Sequence, residues 1–370
     1  MKIIVLLLCG YLAVFFTGCS KSDDILNAKI VSIWEPVNFS TSYAMTAINY
    51  YNNAVIYPQK RDKDGALVFA DLSGKILNEI AIPIGKGPGE IQSHMAITIA
   101  NGHIVIYDND QNKLVMYSIE GKHMDDFALN EETGVPMTVT VNENFMFING
   151  KFGNKLTKYD LEKSVAVKKI PYASIHSEVP QDGDLFEGGM LAYDPFDTCL
   201  FLGYYKKPFT LEKYDLDLNL LDTFSADTEA DYQECAWYNY NGSITQVGDR
   251  VIGGIAFDEN YIYASYGGGY DKASTQTEVK PFEYRQADVN IRIFDRKTKK
   301  QIAVVRCEEM TGIKGFVKIL GVSKSNIVIQ IADMSEVTYK LMKKTRGQDQ
   351  VRNFAIVVLE NPLYIKSEKV

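Results

Sequence analysis

The stretch HIVIYDNDQNKLVMYSIEGKHMDDFAL, His103 to Leu129, contains three short β-rich runs separated by two turns. Ile104 to Tyr107 is the first run and Asp108 to Lys113 a polar turn. Leu114 to Ile119 is the second run, Glu120-Gly121-Lys122 a tight turn, and the third run leads to Phe127. The apolar residues alternate or come in unbroken fours and sixes. That is strand patterning; an amphipathic helix would repeat them every three or four positions. The unit recurs from Asn53, Glu143, Thr198, Glu259 and Ser325, making six copies about 40 to 65 residues apart. Several copies carry an aromatic-Asp pair at the second turn: Tyr159-Asp160, Tyr214-Asp215 and Phe294-Asp295, with Ala70-Asp71 a weaker version.

Multi-strand units at this period predict a propeller, because the coils of a β-solenoid are shorter. One four-stranded sheet cannot bury both of its faces. Sheets stacked around an axis bury them against each other and leave only short edges. The predicted fold is therefore all-β, a six-bladed β-propeller of four-stranded antiparallel blades. The segment KIVSIWEP, Lys29 to Pro36, is a lone strand ahead of the first copy. It is predicted to pair into the last blade and close the ring, a long-range contact that forms late in folding. No Pro/Ser/Gly-rich linker interrupts the chain after Ala28, so residues 28–370 read as one domain despite their length.

Pro83 to Asp108, PIGKGPGEIQSHMAITIANGHIVIYD, offers a rival reading as a phosphate-cradling glycine loop. A Walker loop needs Gly-Lys-Ser/Thr ahead of a helix, and a dinucleotide fingerprint needs its glycines to open a helix within a βαβ unit. Here Lys86 falls between the glycines, Pro88 interrupts them and a β-run follows. The segment resembles the NHL repeat instead, through Gly85, Gly87, Gly89, Glu90, Ile91, Asp108, Asn112 and Lys113. The glycines then supply positive φ where the chain crosses from one blade's outer strand to the next blade's inner strand, and Glu90 caps neighbouring amides. Over the whole chain the pattern is similar to the TolB-like and NHL-like propeller lipoproteins of Bacteroidetes. That resemblance implies an exported, lipid-anchored propeller without a defined activity.

The N-terminus fits that expectation. Lys2 precedes an apolar run, Ile3 to Phe16, which is shorter than the roughly 20 residues of a transmembrane helix. Phe16-Thr17-Gly18-Cys19 resembles a bacterial lipobox, with Phe16 where leucine is usual. Residues 1–18 read as a lipoprotein signal peptide, Cys19 as the lipidated residue and 19–27 as a polar tether. The covalent lipid is the only cofactor expected, and the location is the cell envelope, at the periplasmic or surface face of the outer membrane. The ordinary alternative is a soluble secreted protein. A net charge of −8 with no basic block argues against nucleic acid, so membrane contact would run through acyl chains. Cys199, Cys235 and Cys307 have no metal-site spacing and read as small core hydrophobes, with one oxidised pair as an alternative.

Candidate chemistry is sparse. Asp108-Asn109-Asp110-Gln111-Asn112 starts like an EF-hand loop, but Lys113 and Ile119 occupy its sixth and twelfth positions, so an Asx-bonded turn is expected and no metal. No nucleophile elbow is present. ECAWYNYNGS and YGGGYDKAS place Trp237, Tyr238, Tyr240, Tyr266 and Tyr270 among Asn, Gly and Ser. On loops, these aromatics suit a glycan, a peptide or an envelope protein partner; between blades, they are packing. The polar insert Gly267 to Asp288 is expected to cover one face of the ring. A second function class remains open: a lactonase, lyase or hydrolase with an axial acid/base or metal set drawn from His94, His176, Asp184 and Glu187. Solvated loop positions are the more common explanation for all four.

Overall fold

In the computed structural model, residues 24–36, 48–60, 64–92, 96–100, 102–129, 136–142, 144–150, 154–172, 186–228, 231–240, 243–277, 280–333 and 354–365 are described. They form seven sheets. The first contains Asn49–Tyr51, Ala54–Lys60, Gly65–Ala70 and Ile76–Ile82. The second contains Ala96–Ala100, His103–Asp108, Lys113–Ser118 and His123–Ala128, and the third Pro136–Asn142, Phe145–Gly150, Asn154–Asp160 and Val165–Pro171. The fourth is Gly189–Asp194, Cys199–Tyr204, Phe209–Tyr214 and Leu220–Ala226. The fifth is Gly254–Phe257, Tyr261–Ser265, Asn290–Asp295 and Gln301–Arg306, and the sixth is built on Ile313–Val322, Asn326–Asp333 and Ala355–Glu360. Each repeat found in the sequence supplies the strands that follow the first strand of one of these six sheets.

The cores lie between sheets. Ile104 and Ile106 of the second sheet pack with Ile56, Leu67 and Phe69 of the first. Val105 and Tyr107, the alternate residues of the same strand, pack with Val139, Val141 and Ile148 of the third. Period-two alternation thus sends successive side chains to opposite neighbours. The pattern continues from third to fourth through Phe147 and Leu200, from fourth to fifth through Phe201 and Phe294, and from fifth to sixth through Ile291 and Ile329. It returns from sixth to first through Val328, Ile356, Val55 and Tyr57. The first strands of the six sheets touch in the same cyclic order. Radially stacked antiparallel sheets of this kind are the arrangement of a propeller.

Two early strands tie the circuit. Ile30–Trp34 pairs antiparallel with Ala355–Glu360 as the outermost strand of the sixth sheet, where the sequence placed it. Trp34, 2% exposed, packs with Tyr57 and Val68 of the first sheet, and its indole Nε1 donates to the Leu72 carbonyl at 3.2 Å. The boundary of the expected tether needs correction. Asp24–Asn27, inside it, is a strand that runs parallel to Gln301–Arg306, because Leu26 finds a buried place against the fifth sheet.

The glycine segment is the crossing from first to second sheet, and the Gly87 amide donates to Glu90 Oε2 at 2.7 Å. Of Gly85, Gly87 and Gly89, only Gly89 has positive φ, at 72°. Gly85 makes room for the carboxylate: a Cβ there would lie 2.0 Å from Glu90 Oε2 and displace it from the Gly87 amide. Asp126 accepts the Gly89 amide, Lys113 Nζ at 2.8 Å and His123 Nε2 at 2.9 Å. Burial alone would raise the Asp126 carboxyl; the hydrogen bonds from Lys113, His123 and the Gly89 amide outweigh it and hold it below the usual carboxylate range. Asp108 Oδ1 accepts the amides of Asp110 and Gln111, the Asx-bonded turn expected in place of a calcium loop. Asp71, Asp215 and Asp295 cap their hairpins in the same way.

The seventh sheet is the main departure from expectation. Ala236–Tyr240, Ser243–Asp249, Gly269–Thr277 and Lys280–Tyr284 form it from two stretches that flank Gly254–Phe257 and Tyr261–Ser265 in the chain. Gly267 to Asp288, expected to cover one face of the ring, is therefore largely strand. The glycines of YGGGY serve close packing: Gly268 has φ +75°, and a Cβ on it would lie 1.9 Å from the Gly315 carbonyl oxygen.

Two outcomes are expected. Trp34→Ala should cost about 3–5 kcal/mol in chemical denaturation, whereas Val31→Ala on the exposed side of the same strand should cost under about 1 kcal/mol. Asp126→Asn should cost about 1–2 kcal/mol at pH 7. A depressed carboxylate stabilises above its unfolded value and loses that contribution as pH falls through its folded value. The difference between wild type and Asp126→Asn should accordingly shrink in denaturation below about pH 4.

Candidate functional site

The seventh sheet packs on the fourth through Trp237 and Tyr205 and on the sixth through Tyr270 and Phe316, and beside the fifth and sixth it leaves a lateral cleft of about 610 Å³. At its base Asp249, 1% exposed, accepts Tyr266 Oη at 2.7 Å, Arg285 Nε at 3.0 Å and the Gln233 amide at 2.7 Å. Arg285 Nη1 reaches Asp271 Oδ1 at 3.2 Å. Burial opposes the Arg285 charge, but the carboxylates of Asp249 and Asp271 outweigh it and raise the guanidinium above its ordinary value. Tyr266 is pushed up by burial and by the Asp249 carboxylate, so its hydroxyl stays a donor. Tyr232 stacks on Tyr266 with centroids 4.5 Å apart and planes at 13°. Five carboxylates (Asp231, Asp249, Asp271, Glu283 and Asp288) face three cations (Arg285, Arg306 and Lys314), so the lining is acidic overall. Such a surface receives ligands rich in N–H and O–H donors.

A second cavity of about 410 Å³ lies among the first strands of the six sheets, lined by Tyr50, Ile97, Thr140, Met190, Ile255 and Lys318 among others. A third, of about 250 Å³, is flanked by Glu187, Lys155, Tyr204 and Lys206.

The aromatics singled out in the sequence divide between packing and site. Trp237, 2% exposed, meets Phe186 edge-on at 4.8 Å in a cluster with Tyr205 and Cys235. Tyr270 packs between Tyr284 at 5.0 Å and Phe316 at 4.8 Å. Tyr238 is half-buried on the same strand as Trp237; Tyr240 ends that strand, and its side chain lies outside the described residues. Of the four whose side chains are described, Tyr266 lines the lateral cleft. These residues sit on or beside strands and not on open loops, because the extra sheet recruits their segments. Of the axial candidates, His94, His176 and Asp184 lie outside the described residues, as does Cys19. Glu187 is buried and pairs with Lys206 Nζ at 2.7 Å, in the third cavity and not in the axial one. The sequence missed Tyr232, Asp249 and Arg285. A signal existed in Asp249-Arg250, which ends a β-run like the other hairpin aspartates, but its partner Arg285 is 36 residues on.

Cys199, Cys235 and Cys307 are free and buried; burial pushes the first two thiols up to about 12 and the third to about 11. They act as core hydrophobes. Asp194, Asp197 and Cys199 come within metal-ligating distance of one another, but Arg296 occupies Asp194 at 2.5 and 2.9 Å, an internal ion pair.

No protein-family model and no curated protein matches the chain. Among solved structures it is similar to a member of the DUF4221 family from Bacteroides vulgatus, at 11% identity and a TM-score of 0.60, over 92% of this chain and 98% of that one. It is also similar to a protein from Bacteroides fragilis bearing the provisional name of an exported protein, at 10% identity and a TM-score of 0.52, over 90% and 99% of the two chains. A virginiamycin B lyase from Staphylococcus aureus aligns at 11% identity and a TM-score of 0.43 over 88% of this chain and 99% of that one. At these identities the likeness is one of fold. The chain is all-β, and no helix among the described residues is long and apolar enough to cross a membrane.

Arg285→Met should destabilise by about 3 kcal/mol or more, because it leaves the Asp249 carboxylate buried without its cation. Glu283→Gln on the exposed rim should stay within about 0.5 kcal/mol. Thermal and urea unfolding of the two variants check the contrast.

Proposed function

We propose that this protein is an exported, lipid-anchored six-bladed propeller that works as a recognition module. Its lateral cleft takes a glycan or peptide rich in hydrogen-bond donors. The observation that carries this reading is the seventh sheet. Six sheets already complete the circuit of inter-sheet cores, so the extra one is not needed to hide their faces. What it adds is a cleft with tyrosines, an anchored arginine and an excess of carboxylates.

Anchoring rests on the lipobox-like Phe16-Thr17-Gly18-Cys19 and on the fold shared with a Bacteroides protein named as exported. Residues 20–23 separate Cys19 from the strand Asp24–Asn27, a reach of roughly 14 Å when extended. A diacylated Cys19 would hold the fifth sheet close to the membrane. The NHL-like and TolB-like resemblance supports the same assignment through the crossing at Gly85 to Ile91. The enzyme alternative called for carboxylates or histidines converging on the axis. Of its candidates, Glu187 pairs with Lys206 away from the axial cavity, and His94, His176 and Asp184 lie outside the described residues.

Cys19→Ser should move the protein from the membrane to the soluble fraction of the producing cell; retention in the membrane would refute the anchor. For the cleft, glycan and peptide arrays with the soluble domain should yield a ligand whose affinity falls at least about tenfold in Asp271→Asn/Glu283→Gln while the melting curve is kept. An array ligand bound equally well by the double variant would place recognition elsewhere.

A further inference from the structure

The axial cavity has a chemistry of its own. Its described lining is aliphatic, thioether, aromatic and hydroxyl-bearing, with the carboxamides of Asn49 and Asn52, one charged side chain, Lys318, and no carboxylate. Lys318 lies on Ile313–Val322 and is 8% exposed. Its Nζ donates to the Ile48 carbonyl oxygen at 3.1 Å, and among the described residues it makes no ion pair. The stem runs over Gly254, where a Cβ would come within 3.1 Å of Lys318 Cγ. Burying an ammonium without a counter-charge is costly, and a methionine would fill the same volume without that cost. Burial accordingly lowers the amine to about 8. The lysine is expensive as packing and is placed where a cavity of ligand size opens.

We infer that the axial cavity is a binding site for a small carboxylate with an apolar body, its carboxyl group received by the Lys318 ammonium. One hydrogen bond of Nζ goes to Ile48, which leaves two N–H groups for the carboxylate oxygens. Thr140, Met190 and Ile255 bound the space for the body. The charge match is one to one. A phosphate dianion would bring a second negative charge into a lining with no second cation, and a neutral ligand would leave the ammonium uncompensated. The site rests on the ring's first strands, so it stands or falls independently of the lateral cleft.

The test uses the soluble domain with ¹³C,¹⁵N-labelled lysine and butanoate, benzoate and phenylacetate as probes. NMR titration follows Lys318; Tyr50, Tyr51 and Tyr193 are the other titratable side chains of the described lining. At least one carboxylate should bind and move the Lys318 titration upward toward the ordinary lysine value, because it stabilises the protonated form. The matching primary amide should bind at least about tenfold more weakly. Lys318→Met should lose carboxylate binding about tenfold or more while melting at the wild-type temperature or above. The inference is overturned if none of the three probes perturbs the Lys318 resonances, if the amide binds as well as its acid, or if folded Lys318→Met binds as tightly as wild type. Should that variant not fold, the acid-against-amide comparison on wild type decides alone.

Discussion

The antiparallel pairing of Ile30–Trp34 with Ala355–Glu360 is the contact on which the other inter-sheet cores depend. Without it, the sixth sheet lacks its outer strand and the first sheet loses the indole that covers Tyr57 and Val68. Radially stacked sheets have no single central core. Each buries one face against the sheet before it and the other against the sheet after it, so an unclosed series exposes two apolar faces at once. The chain meets this demand by bringing its first strands to its last ones, and the parallel strand Asp24–Asn27 adds a further tie to the fifth sheet. The closing pairs are more than 300 residues apart in sequence, as Ile33 opposite Val357 illustrates. Their ordering entropy is recovered only when the intervening sheets are in place.

Closure also explains how ligand sites can arise. A complete circuit leaves its inner strands around an axial space, too narrow for another element yet wide enough for a small molecule. The seventh sheet enters through close backbone contacts at Gly253, Gly267 and Gly268, where side chains would collide with neighbouring carbonyls. Its cleft is polar because it forms between edges and hairpin ends, and its buried Asp249 is tolerated only because Tyr266, Gln233 and Arg285 satisfy it.

How much of this was legible in the sequence follows from range. The unbroken apolar run Ile104 to Tyr107 showed a strand with two buried faces, and the structure sends Ile104 and Val105 to opposite cores. Turn chemistry was equally readable, since Asp108, Asp215 and Asp295 act on amides two to four residues away. The glycine crossing was recognised in place, although Gly85 answers to Glu90 and not to backbone φ. The seventh sheet escaped because its two halves are split by strands of another sheet, and its runs mix aromatics with Asn, Gly and Ser. Its aromatics looked like loop residues for the same reason. Lys318 sits in a run, Gly315 to Val322, that reads as buried strand, and one lysine there gives no hint that it faces an axis. Both candidate sites depend on three-dimensional adjacency among distant segments, which local pattern does not carry.

Native-state hydrogen exchange at the closing strand tests the central claim most directly. The hydrogen-bonded amides of Ile30–Trp34 should open with the same free energy as those of Ala54–Lys60 and Asn326–Asp333, as expected if the ring opens only by global unfolding. Exchange at Ile30–Trp34 that is orders of magnitude faster, with the other strands still fully protected, would show that the sheets hold together without the closure and would contradict the account.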